Sequence, residues 1–126
     1  MNIPENLIYT KEHEWVRVDG NIGTFGITDY AQSELGDVVF VDIDESLTEI
    51  SKGTSCGTIE AVKTVSDLFA PFSGKVIEIN LKLKDSPELL NSDPYGEGWM
   101  IKAEISNPSD LDDLLSAQDY RNLIGQ

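Results

Sequence analysis

Apolar positions in this chain come in short runs of strand length, punctuated by Gly, Pro, Asn and Asp. Residues 7–10 read as a first short strand, followed by the polar Lys11-Glu12-His13-Glu14. Residues 15–18 and 22–27 read as hairpin partners around the tight turn Asp19-Gly20-Asn21. Thr28 can cap a short helix running through Leu35, with Asp29 and Glu34 on its polar side and Gly36 to stop it. The nearly continuous apolar, β-branched stretch 38–43 predicts a central strand covered on both faces.

An acidic loop at 44–51 leads to Lys52-Gly53, which turns the chain into strands at 58–61 and 65–70. After Asn80 comes a polar, Pro-punctuated loop to Asp93-Pro94, then Gly96-Glu97-Gly98 and a final strand at 99–105. Asn107-Pro108 opens a C-terminal helical segment at about 107–125. Within it Leu111, Leu114 and Leu115 share one face, Tyr120, Leu123 and Ile124 share another, and Ser116 breaks or restarts the helix. Gly36-x-Val38 and Gly74-x-Val76 open two similar runs, a weak internal repeat. The pattern is that of a mostly β chain with a short internal helix and C-terminal helices.

At 126 residues and 40% apolar content, residues 1–126 form one domain with a sizeable core. No apolar run is long enough to cross a membrane as a helix. The first residues lack a basic start and an apolar stretch, and the single cysteine suits a reducing compartment, so the expected location is cytoplasmic. A formal net charge of −14 argues against nucleic acid or anionic lipid as partners and favours a soluble monomer. The same charge steers the protein toward basic docking faces.

The stretch with the most chemistry is 58–74. Its two strand runs flank a short centre whose only cation is Lys63, bracketed by Glu60 and Asp67. A hairpin there puts Lys63 at or beside the tip, although nothing in the tip is Gly, Asn or Asp. An ordinary surface lysine is the competing reading. The other candidates are weaker. His13, the only histidine, has no spaced ligand set for a metal and no nucleophile partner. Cys56, between Ser55 and Gly57, reads as a small inert thiol. Gly96-x-Gly98 lacks phosphate-loop spacing, and the carboxylates carry little weight as a hydrolase pair.

Glu60-Ala61-Val62-Lys63-Thr64-Val65-Ser66-Asp67, followed by residues 73–80, resembles the lipoyl-lysine segment of the glycine cleavage H-protein family. His13-Glu14-Trp15-Val16, Gly26-Ile27-Thr28, Leu35-Gly36-Asp37-Val38-Val39 and Asp93-Pro94-Tyr95-Gly96-Glu97-Gly98-Trp99 extend the likeness over nearly the whole chain. The resemblance implies a flattened β-barrel or sandwich of two antiparallel sheets. It also implies lipoate in amide linkage to Lys63, and a carrier that is not itself an enzyme.

Its implied partners are four. A pyridoxal-phosphate glycine decarboxylase loads an aminomethyl group, and an aminomethyltransferase passes that group to tetrahydrofolate. Dihydrolipoyl dehydrogenase takes the electrons, and a lipoate-attaching enzyme modifies Lys63. Glu14 and Asp67 are the family positions near the folded-back arm, where they would protect the aminomethyl group. Residue 61 is Ala where Ser is common, and residue 34 is Glu where some relatives carry His, so no basic role transfers to it. Two alternatives stand beside this reading: a lipoate relay for 2-oxo acid dehydrogenases, and a biotin carrier. Val62 and Thr64 replace the Met neighbours usual in biotin acceptors, which disfavours the latter.

Overall fold

A computed structural model describes residues 1–126. Two antiparallel sheets make a sandwich. One has six strands: β1 (Ile8–Tyr9), β2 (Glu14–Asp19), β3 (Ile22–Ile27), β5 (Glu49–Ile50), β8 (Gly74–Ile79) and β9 (Ile101–Ile105). Their spatial order is β1-β2-β3-β9-β8-β5. The other sheet holds β4 (Val38–Asp42), β6 (Ser55–Ala61) and β7 (Val65–Phe69), with β6 in the middle.

The β2–β3 hairpin turns at Gly20, whose φ of +64° suits a residue without a Cβ. Between the sheets lies the main core. Val16, Phe25 and Ile101 from the large sheet meet Val41, Ile59 and Leu68 from the small one, with Phe72 beside them. Each such side chain, fully buried, contributes about 1.5–3 kcal/mol. Helix α1 (Asp29–Leu35) follows β3, capped by Thr28 Oγ1 accepting from the Ala31 N–H. A smaller core of Ile3, Leu7, Tyr9, Trp15, Ala117 and Tyr120 joins the N-terminal segment to the last helix, with Tyr9 stacked on Tyr120 at 4.7 Å.

Four features differ from the sequence pattern. The run at 38–43 is an edge strand of the small sheet, not a central one, and Val39 and Phe40 stay 53% and 46% exposed. A β-branched run reports strand propensity, and nothing in it encodes whether a second layer will cover the outer face. The acidic loop contains β5, which pairs with β8. The polar loop after Asn80 folds into two single turns, α2 (Lys82–Asp85) and α3 (Leu89–Ser92), because Leu83 and Leu90 each bury in the main core.

The segment 107–125 is not helical throughout. It opens with a 3₁₀ turn, Pro108–Leu111, and Leu115 then exchanges both backbone hydrogen bonds with Tyr9 at 2.8 and 2.7 Å. Only at α4 (Ala117–Ile124), capped by Ser116 Oγ, does an α-helix begin. Leu111 and Leu114 pack on the main core and Leu115 on the smaller one, so the three do not form one helical face. Pairing with the short β1 strand outweighs helical continuity there.

Candidate functional site

The β6–β7 hairpin closes at Glu60↔Val65, and beyond that pair the Ala61 N–H donates to Thr64 O at 2.8 Å. None of the residues between has a positive φ, which is why this turn forms without Gly, Asn or Asp. The Val62 N–H donates to Asp37 O at 3.0 Å, so the tip is pinned to the turn that joins α1 to β4. Lys63 is exposed there and takes part in no ion pair.

Gly36 lies beneath the lysine stem. A Cβ at Gly36 would sit 4.0 Å from both Cδ and Cε of Lys63, and its φ of +78° already favours glycine. Asn91 of α3 fixes this floor. Its Nδ2 donates to Gly36 O at 2.9 Å and to Gln32 Oε1 at 3.0 Å, while its Oδ1 accepts from the Val38 N–H at 2.9 Å.

Next to the hairpin is a cavity of about 260 Å³ between the His13 loop, α1 and β7. Glu12, Glu14, Glu34 and Asp67 supply its carboxylates, and Ile27, Ala31 and Leu35 form an aliphatic wall. Leu35 precedes Gly36, so this wall runs up to the foot of Lys63. The two expected acids, Glu14 and Asp67, are thus brought to one cavity from different sheets.

Their environments differ. Glu14 is only 2% exposed; its Oε1 accepts from Thr10 Oγ1 at 2.5 Å and its Oε2 from the Phe69 N–H at 3.4 Å. Burial pushes its carboxyl up to about 7, and those two hydrogen bonds offset only part of the shift. Asp67 is exposed and accepts from Ser55 Oγ at 3.3 Å. Glu60 is also exposed, while its neighbours Ile59 and Ala61 are buried on the core side of the strand.

Cys56 donates its thiol to Leu68 O, and burial, with the nearby Glu14 charge, pushes the thiol up to about 12. At that value it is no thiolate nucleophile. The Gly96–Gly98 loop is a structural turn: Asp93 O accepts from the N–H groups of both Gly96 and Gly98.

Several residues around the site had no role assigned from the sequence. Thr10 and Tyr30 gain meaning only beside Glu14 and His13, and Asn91, which lies in the stretch Pro87-Glu88-Leu89-Leu90-Asn91 that shares the family likeness, only once it is seen to hold Gly36. Glu12, one among 23 acidic residues, had nothing to single it out, and Glu34 was marked only as a polar helix position where some relatives carry His.

Fold and site together define a two-sheet scaffold presenting one lysine on a supported hairpin tip. The family model described as Glycine cleavage H-protein matches residues 7–126. A glycine cleavage system H protein from Carboxydothermus hydrogenoformans is 57% identical over 122 residues, spanning 97% of this chain and 94% of that protein. Another, from Staphylococcus haemolyticus, is 56% identical over the full length of both. The crystal structure of a glycine cleavage system H protein from Mycobacterium marinum superposes with a TM-score of 0.89 at 38% identity, covering 98% of this chain and all of that one. The chain belongs to the glycine cleavage H-protein family, a family of lipoyl carrier proteins.

Proposed function

We propose that this protein carries lipoate in amide linkage on Lys63 and serves a glycine cleavage system with it. The observation that carries this reading is the pinned, exposed and unpaired Lys63, in the stretch that resembles the family's lipoyl-lysine segment. The residues around it suit the group. The amine is free to be acylated, Val62 and Val65 expose 72% and 62% of their surface beside it, and an aliphatic cavity wall begins at Leu35. When attached, lipoate supplies a disulfide–dithiol pair that takes an aminomethyl group from a glycine decarboxylase, yields it to an aminomethyltransferase and returns electrons to dihydrolipoyl dehydrogenase.

The chain's own residues position and protect. The hairpin holds the tether at a fixed place, which raises the effective concentration of any attached group at a docked active site. Ile27, Ala31 and Leu35 keep water from one side of the cavity, while Glu12, Glu14, Glu34 and Asp67 favour a protonated amine over a free one. An ammonium beside Glu14 in turn favours the ionised carboxylate, so the two protect each other. The cytoplasmic location expected from the sequence belongs to the same proposal.

Incubation with a lipoate ligase, lipoate and ATP tests the assignment. The protein gains one lipoyl mass that maps to Lys63, and Lys63→Arg gains none. Equal labelling by a biotin ligase with biotin would point to a biotin carrier instead.

A further inference from the structure

Tyr120 stands on α4, yet its hydroxyl touches two elements that frame the cavity. Its Oη lies 2.9 Å from His13 Nδ1 and 2.8 Å from Thr28 Oγ1. Thr28 is fully buried, and its Oγ1 already accepts from the Ala31 N–H at 3.1 Å. Its hydroxyl hydrogen therefore has one acceptor within reach, Tyr120 Oη. If Tyr120 donated to Thr28 instead, the threonine hydrogen would be a buried donor without a partner. The order that satisfies every hydrogen runs one way: Ala31 N–H to Thr28 Oγ1, Thr28 O–H to Tyr120 Oη, Tyr120 O–H to His13 Nδ1.

We infer that Tyr120 is a positioning residue of the cavity: through this one-way chain the C-terminal helix holds His13 neutral, with its proton on Nε2, and keeps a fixed cation away from the carboxylates. The inference rests on the reading of the cavity as the place where a cationic amine is held.

The groups facing His13 make this control necessary. Glu12 comes from its own loop, Tyr30 and Glu34 from α1, Glu14 from β2, Asp67 from β7, and Tyr120 from α4. Glu12 and Glu34 favour protonation of the imidazole, and an imidazolium would occupy the negative field that a cargo ammonium needs. Burial opposes this and is the leading cause that holds His13 below the ordinary imidazole value, against the upward pull of Glu12 and Glu34. The hydrogen-bond chain acts in the same direction. A proton on Nδ1 would leave one of the two buried hydroxyl hydrogens, that of Tyr120 or that of Thr28, without an acceptor. The backbone supports the arrangement too: His13 has a φ of +70°, and its carbonyl accepts from the Thr28 N–H at 3.1 Å.

Because His13 is the only histidine, its imidazole signals in nitrogen-15 NMR are unambiguous. In the unlipoylated wild type above the His13 midpoint, the imidazole is expected as the Nε2–H tautomer. Tyr120→Phe keeps the ring that stacks on Tyr9 but removes the hydroxyl; the tautomers then mix and the His13 midpoint moves up. Thr28→Ser preserves the hydroxyl and the wild-type pattern. An Nδ1–H tautomer in the wild type overturns the inference without any variant. An unchanged tautomer and midpoint in folded Tyr120→Phe overturn it as well. Neither readout involves lipoate, so failure of Lys63 to accept lipoate would remove the carrier reading and leave this test standing.

Discussion

Thr10 and Glu14 hold each other in a closed pair. The Glu14 N–H donates to Thr10 Oγ1 at 3.1 Å, and that hydroxyl donates to Glu14 Oε1 at 2.5 Å. The pair holds the carboxyl in a buried position, where burial outweighs its hydrogen bonds and keeps its proton up to about pH 7.

That proton makes stability depend on pH in an unusual direction. Between the ordinary value of 4.5 and about 7, the folded protein keeps a proton at Glu14 that the unfolded chain has lost. Folding stability from this group is therefore lost as pH rises through the window, and the loss is complete above it. The full span is on the order of 3 kcal/mol. Glu14→Gln should match wild type below the window and exceed it by about 1–3 kcal/mol near pH 8. Urea unfolding midpoints of both proteins across this range check it. Parallel pH profiles would show that the carboxyl ionises freely in the folded state.

Loading is a separate matter from folding. Glu14→Ala and Asp67→Ala are expected to accept lipoate at Lys63 as wild type does, but to lose an aminomethyl cargo sooner. Each unit by which the amine's pKa falls raises the reactive free-amine fraction about tenfold. Buried Glu14 should matter more than exposed Asp67, whose field is weakened by solvent. Ammonia and formaldehyde release, timed without the aminomethyltransferase, measures the lifetime. Equal lifetimes in all three proteins would reduce the two acids to ordinary charges.

Asn91 offers a test of the support beneath Lys63. Asn91→Ala removes three hydrogen bonds and leaves the Val38 N–H and Gly36 carbonyl without their side-chain partners. A loss of about 1.5–4.5 kcal/mol is expected, at about 0.5–1.5 kcal/mol for each of the three bonds. Hydrogen exchange at Val38 and Val62 should quicken more than exchange in β9. Uniform quickening over the whole chain would mean that Asn91 supports the fold and not the tip in particular.

How much of this was legible beforehand depends on the range of the forces involved. Local rules sufficed for the Asp19–Asn21 turn, the Thr28 cap, the Gly36 stop and the Ser116 restart, because each depends on residues a few positions apart. Lys63 stood out for the same reason: its hairpin is one contiguous stretch. The exposed outer face of β4 was not legible, since whether a layer covers it is decided by elements far along the chain. The cavity itself joins residues 12–14, 27–35 and 66–67, and only tertiary packing makes them neighbours. Glu14 and Asp67 were singled out through the family resemblance alone. The Tyr120 chain spans a sequence distance of 107 residues to His13 and left no local trace.

Salt dependence separates the two kinds of surface this protein offers a partner. With a net charge of −14, encounter with a basic docking face should weaken as salt rises from about 0.01 M to about 0.15 M, where the Debye length falls from roughly 30 Å to about 8 Å. The expected reading is a rising Michaelis constant for the protein as substrate of the decarboxylase. A constant value would assign docking to the apolar fringe at Phe40, Val62 and Val65.

The pinned tip also bears on how a load on the proposed tether would travel. Val62 is tied to Asp37 and the lysine stem rests over Gly36, so the foot of the hairpin tip is anchored to the body of the protein. Whatever hangs from Lys63 sweeps a volume whose centre is fixed in the body of the protein. On the proposed carrier reading, moving between partners is then a matter of whole-body tumbling, with the same pivot offered to each.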